Sequence, residues 1–170
     1  MTADKQERLS SMEDKSKISA EKEKGGFDCC GCGEWVEFSD TIGTAHRNHC
    51  PKCLSSKHMD ENLSGDRASN CGGCMPAIGL SFKKEGVDKY GKAREGELML
   101  IHECSACGKV SINRLAADDD EPTILKVFNE SLSLPKKTSD RIKKEGITII
   151  DAQGKEKMFI KLFGKGIGKI

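Results

Sequence analysis

Aromatic residues are scarce in this chain: one Trp, one Tyr and six Phe among 170 residues. That leaves Trp35, Phe38 and Tyr90 as the candidates for stacking on a base, too few for the aromatic-rich surfaces of common RNA modules. Hydrophobic residues make up 36% and mean hydropathy is −0.53, which is thin for a self-sufficient core and asks for another source of stability. No run of 18 apolar residues occurs, so no membrane span is expected. The opening MTADKQERLSSMEDK has no apolar stretch of the kind a signal peptide needs. A cytoplasmic chain with reduced thiols is therefore expected.

What the chain does have is cysteine. Eight of its nine cysteines form four C-x-x-C pairs: Cys29/Cys32, Cys50/Cys53, Cys71/Cys74 and Cys104/Cys107. Two thiolates three positions apart can wrap one face of a tetrahedral ion, and two such pairs complete a four-ligand site. Seventeen residues separate Cys32 from Cys50 and 29 separate Cys74 from Cys104; the first gap is close to that of a zinc ribbon and the second leaves room for a longer hairpin. Two Zn2+ ions per chain are expected, in two closed four-cysteine sites. Sequential pairing closes shorter loops than an interleaved arrangement joining Cys29/Cys32 to Cys71/Cys74, which stays open. No βαβ pattern surrounds any pair, against a thioredoxin-like centre. Cys30, inside the first pair, is read as a spare thiol, because Cys29/Cys32 keeps the x-x spacing and precedes Gly33, which suits a tight turn. His46, His49, His58 and His102 are alternative ligands that eight thiolates make unnecessary.

Three regions emerge. Residues 1–26 read as a charged, disordered arm. Residues 27–122 hold every cysteine and histidine, with short strands at 35–38, 78–82, 96–104 and after Cys107. Residues 123–170 read as a helix at 123–132, a linker around SLPKKTSD, a β-hairpin over 147–163 and a flexible basic tail. The expected fold class is a small zinc-stabilised β-rich, zinc-ribbon-like domain with a short C-terminal helix and a hairpin tail.

Net charge is +1 overall, but residues 27–122 hold 11 basic and 16 acidic side chains, whereas 136–170 hold ten and four. If nucleic acid is bound, the tail supplies most of the bulk attraction. Arg47, Lys52, Lys57 and Arg67 of the cysteine region, with Lys136, Lys137, Lys143 and Lys144 of the tail, are the candidate contacts; Arg47 is notable for its planar fork.

The string Arg47-Asn48-His49-Cys50-Pro51 resembles the signature of the bacterial RNHCP domain family. FDCCGCG at 27–33, SGDRASNCGGCM at 64–75, IHECSACG at 101–108 and INRLAADDD at 112–120 extend the resemblance over residues 27–122. It implies a small zinc-binding domain and carries no biochemical role.

The chemical alternatives are weaker. Asn48 and His49 read as hydrogen-bonding the thiolates or the adjacent backbone. His58, Asp60, Glu61, Asp66 and Arg67, followed by Asn70 and the Cys71/Cys74 pair, faintly resemble an HNH nuclease layout, without its paired general base or its second histidine. Asp118, Asp119, Asp120 and Glu121 read as a solvated acidic turn, with Asn113 and Arg114 tying it to the strands. The expected function is binding of RNA or a ribonucleoprotein such as the ribosome, without catalysis; a protein-interaction adaptor is the alternative and an HNH-like nuclease a second.

Overall fold

A computed structural model of the chain describes residues 25–38, 47–62, 66–87, 89–92, 94 and 96–164. The expected arm up to residue 24, the tail from residue 165 and His46 lie outside the described residues.

Seven short strands and three short helices make up the described chain. Strands β1 (Gly26–Asp28) and β2 (Trp35–Glu37) form an antiparallel hairpin with Phe27 opposite Val36. Strands β3 (Ser56–Lys57) and β4 (Cys74–Met75) pair antiparallel. Strands β5 (Ala77–Phe82), β6 (Leu98–Glu103) and β7 (Val110–Arg114) form an antiparallel meander. Strands β2, β5, β6 and β7 fall where the sequence leads one to expect them, in runs rich in apolar residues, whereas the two- and three-residue strands β1, β3 and β4 carry no such pattern.

Strand β6 explains how the domain is layered. Its first five residues, Leu98 to His102, are all buried, which requires cover on both faces of the sheet. On one face Leu98 and Leu100 join Leu54, Leu80, Ile124, Val127, Phe128, Ile150 and Met158. On the other, Ile101 packs with Val110 and Ile142. The covers are helices α1 (Glu121–Ser131) and α3 (Lys155–Phe163) on the first face and α2 (Lys136–Lys144) on the second.

Helix α1 begins where the carboxylate of Asp120 accepts the Thr123 amide at 2.9 Å, with Pro122 in the first turn. Phe128 is its largest buried side chain. Phe128→Ala is expected to cost about 3–5 kcal/mol through the cavity it leaves; urea unfolding of the metal-loaded protein reads this.

The tail departs from expectation. Residues 136–140 of the expected linker, together with 141–144, form α2, which starts directly after Pro135 and is anchored by one buried residue, Ile142. So sparse an apolar pattern escapes periodicity arguments. The expected hairpin over 147–163 is absent: Ile149 makes a single bridge to Ser81, and residues 155–163 form α3. Met158, Phe159 and Leu162 recur at helical rather than alternating spacing and face the core. No helix among the described residues is long and apolar enough to cross a membrane.

Candidate metal centre

Three of the four C-x-x-C pairs close in the same way. The amide of the residue after the second cysteine donates to the carbonyl of the first: Gly33 to Cys29, Leu54 to Cys50 and Gly108 to Cys104, each at 2.9 Å. The amide of each first cysteine donates to the residue five positions on: Glu34, Ser55 and Lys109. Each closing residue is left-handed, with φ of 76°, 60° and 76°. Glycine adopts this freely. Leu54 accepts a cost of about 1–2 kcal/mol, offset by its complete burial in the main core.

The third pair does not close. Met75 follows Cys74 and precedes Pro76, whose ring drives the preceding residue into extended backbone. Met75 instead enters β4. The turn at Cys71-Gly72-Gly73 is held by His58: the His58 amide donates to the Gly73 carbonyl at 2.8 Å, and the Gly72 amide donates to the His58 carbonyl at 3.1 Å.

Two groups of four donors result. Cys29, Cys32, Cys50 and Cys53 form the first, and His58, Cys71, Cys104 and Cys107 the second, with all donor atoms of a group within 4.8 Å of one another. Sulfur separations are 3.4 Å for Cys29 to Cys53, 3.8 Å for Cys32 to Cys50 and 3.6 Å for Cys71 to Cys104. His58 Nδ1 lies 3.3 Å from Cys107 Sγ. Thiolates bound at about 2.3 Å around a tetrahedral ion stand about 3.8 Å apart. Disulfide sulfurs stand at about 2.05 Å. Both groups can therefore hold a metal ion.

The expected ligand set is corrected at two positions. Cys74 is not in the second group and His58 is. Cys30, expected as a spare thiol, forms a disulfide with Cys74, with Cα atoms 5.6 Å apart; the expectation that every thiol stays reduced does not hold for this pair. Sequential pairing holds for the first group, whose donors come from the first two pairs.

Proton chemistry supports a cation in each group. Burial pushes the Cys29 thiol up to about 12 and the Cys71 thiol up to about 11. At Cys53, burial pushes upward but hydrogen bonds from Ser55 outweigh it, leaving about 7. Several thiolates are thus stable together only around positive charge. Metal loading releases protons, so affinity is expected to fall as pH falls; titrating metal-loaded protein with acid, followed by a zinc-sensitive dye, checks the direction.

The string 47–51 has a structural reason. Arg47 is buried, and Asp118 accepts two hydrogen bonds from its Nη2, one at 2.5 Å. His49 Nε2 stands 2.9 Å from Asp119, whose side chain is fully buried. The Asn48 amide donates to Asn113 Oδ1 at 2.7 Å. Asn113 in turn stands 3.3 Å from His102 Nδ1, and His102 Nε2 donates to the Leu54 carbonyl at 2.8 Å. The Pro51 carbonyl accepts the Asp120 amide at 2.8 Å. This chain of bonds clamps the second knuckle to β7 and to the start of α1.

Several expectations change accordingly. Asn48 and His49 bond Asn113 and Asp119 rather than thiolates. The acidic run is a turn in which Asp118, Asp120 and Glu121 are exposed, as expected, but Asp119 is buried: Asp118 and Asp119 face Arg47 and His49, and Asp120 caps α1. Arg114 pairs with Glu97 at 2.9 Å. The Arg47 guanidinium holds the Asp118 carboxyl below its usual range. Burial takes His102 down to about 4, below its ordinary 6.5. The unfolded chain therefore binds a proton that the folded chain refuses, and stability falls as pH drops from 6.5 toward 4, by up to about 1.4 kcal/mol per unit.

The candidate nucleic-acid contacts divide. Arg47 is buried and cannot reach a ligand. Lys52 pairs with Glu34 at 2.8 Å, Arg67 lies 3.8 Å from Asp60, and Lys136 pairs with Asp140 at 2.8 Å. Lys57 is half-buried on β3, while Lys137, Lys143 and Lys144 are exposed on α2. In the HNH-like stretch, Asp66 accepts the amides of Glu61, Asn62 and Ala68, and His58 Nδ1 faces Cys107. These groups build a turn and a donor set.

The family profile of the RNHCP domain matches residues 24–125, more than half of the chain. The chain belongs to the RNHCP domain family. Neither the curated proteins nor the solved structures hold a match to it. In this RNHCP domain the naming string supplies one candidate metal donor, Cys50, and four residues that lock its knuckle to the far end of the matched region. Sequence reasoning set His58 aside as an unnecessary alternative ligand; the available signal in its favour was Pro76, two residues after Cys74.

Proposed function

We propose that this RNHCP domain binds two zinc ions as structural, zinc-ribbon-like centres and presents helix α2 to RNA or a ribonucleoprotein, without catalysis. The observation that carries the reading is the charge on α2. Five of its nine residues are Lys or Arg, against one Asp. Ile142 is buried beneath it, and Lys137, Lys143 and Lys144 stand on its exposed sides. Such a row neutralises backbone phosphates without reading sequence. Zinc fits the all-nitrogen-and-sulfur donor sets and their tetrahedral spacing.

The second metal group supports the helix directly. Arg141 bonds Glu103 of β6, and its guanidinium lies against Gly108, where a Cβ would come within 2.8 Å. The fourth knuckle is thus the seat of α2.

Fluorescence anisotropy with single-stranded RNA across a salt series tests the proposal. Binding is expected to weaken with salt, and K137E/K143E/K144E is expected to lower affinity at least tenfold while retaining both metals. Every lysine–phosphate pairing that the variant abolishes makes the log–log salt slope shallower by about 0.7. Unchanged RNA affinity in the triple variant would overturn the assignment of α2. Affinity for a protein but none for RNA would favour the adaptor.

A further inference from the structure

We infer that Cys30 and Cys74 form a reversible thiol–disulfide site, separate from both metal donor groups, whose reactants are small thiols and their disulfides. Seven cysteines are consumed by the donor groups, and the two left over come from different motifs. Cys30 is the extra residue inside the first pair. Cys74 is the second member of the pair that Met75-Pro76 keeps open. Their bond joins the first knuckle to β4, the strand leading away from ligand Cys71.

Access and protection both follow from placement. Cys30 is exposed while Cys74 is half-buried, so an external thiolate reaches the Cys30 sulfur first. The flanking thiols Cys29, Cys32 and Cys71 are donors, and coordination blunts them as competing nucleophiles. In the opening step a small thiolate bonds to Cys30 sulfur, the S–S bond breaks, and Cys74 leaves as a thiolate that takes a proton. A second thiol attacks the mixed disulfide, giving the Cys30 thiol and the oxidised small disulfide. No donor sulfur changes oxidation state, so the site opens without metal loss.

The test uses the metal-loaded full chain. A brief dithiothreitol pulse is followed by iodoacetamide, peptide mapping and native mass spectrometry. Two labels are expected, on Cys30 and Cys74, with both metals retained, and oxidised glutathione is expected to restore the bond before labelling. Cys30→Ser is expected to leave Cys74 labelled without reductant and both metals bound. Labels on Cys29, Cys32 or Cys71, metal release in step with reduction, or metal loss in Cys30→Ser would each overturn the inference.

Discussion

His58→Ala is expected to leave one bound metal ion per chain, whereas Cys74→Ser leaves two. The contrast follows from the open third knuckle. Pro76 denies Met75 the left-handed closure used after Cys32, Cys53 and Cys107, and β4 carries Cys74 to Cys30. The same pairing of β3 with β4 brings His58 against the Cys71 turn, where its Nδ1 stands 3.3 Å from Cys107 Sγ. Removing the imidazole leaves three thiolates and an open coordination position, which lowers affinity steeply because structural sites are closed and four-coordinate. Cobalt substitution and native mass spectrometry check both variants. A Cys74→Ser protein holding one metal, with His58→Ala holding two, would reverse the ligand assignment. Because the fourth knuckle seats α2, His58→Ala is also expected to raise hydrogen exchange at residues 136–144.

Asp119→Ala is expected to destabilise the metal-loaded domain by about 3–5 kcal/mol, the range for removing one partner of a buried charged pair. The side chains of Arg47 and His49 beside it are 2% and 3% exposed, and that of Asp119 is 0% exposed. Truncation strips His49 Nε2 of its carboxylate and removes the acceptor of the Ala116 amide, now at 2.8 Å. Arg47 keeps Asp118, which limits the loss. Asp120→Ala, outside this cluster, removes only the N-cap and is expected to cost about 1 kcal/mol. Denaturant titrations at fixed metal occupancy separate the two. Equal, small effects would show that the string 47–51 is held by its knuckle alone.

These two sites also show where sequence reasoning reaches and where it stops. The strands at 35–38, 78–82 and 96–104 are legible because apolar residues and glycine turns signal them locally. The first donor group is legible because both of its pairs carry their own turn geometry. Cys74 misleads because pair spacing by itself ignores the Met75-Pro76 that follows. His58 and the partners of Arg47 and His49 are hidden for another reason: Arg47 and Asp118 lie 71 positions apart, and no local pattern encodes such a meeting. Helix α2 escapes because one buried Ile142 anchors it, whereas α3 is legible: Met158, Phe159 and Leu162 follow helical spacing, which the expectation of a hairpin overlooks.

The sequence by itself determined that this chain carries knuckle-forming cysteine pairs, RNHCP family membership and a basic C-terminal region, since spacing, turn residues and charge are properties of neighbours in the chain. Only the tertiary structure decided which cysteines share a donor group, that a histidine completes the second, that two cysteines bond to each other and that Arg47 faces a buried carboxylate. Those outcomes depend on strand pairing and burial between segments far apart in sequence, where the competing ligands differ only in which backbone brings them close.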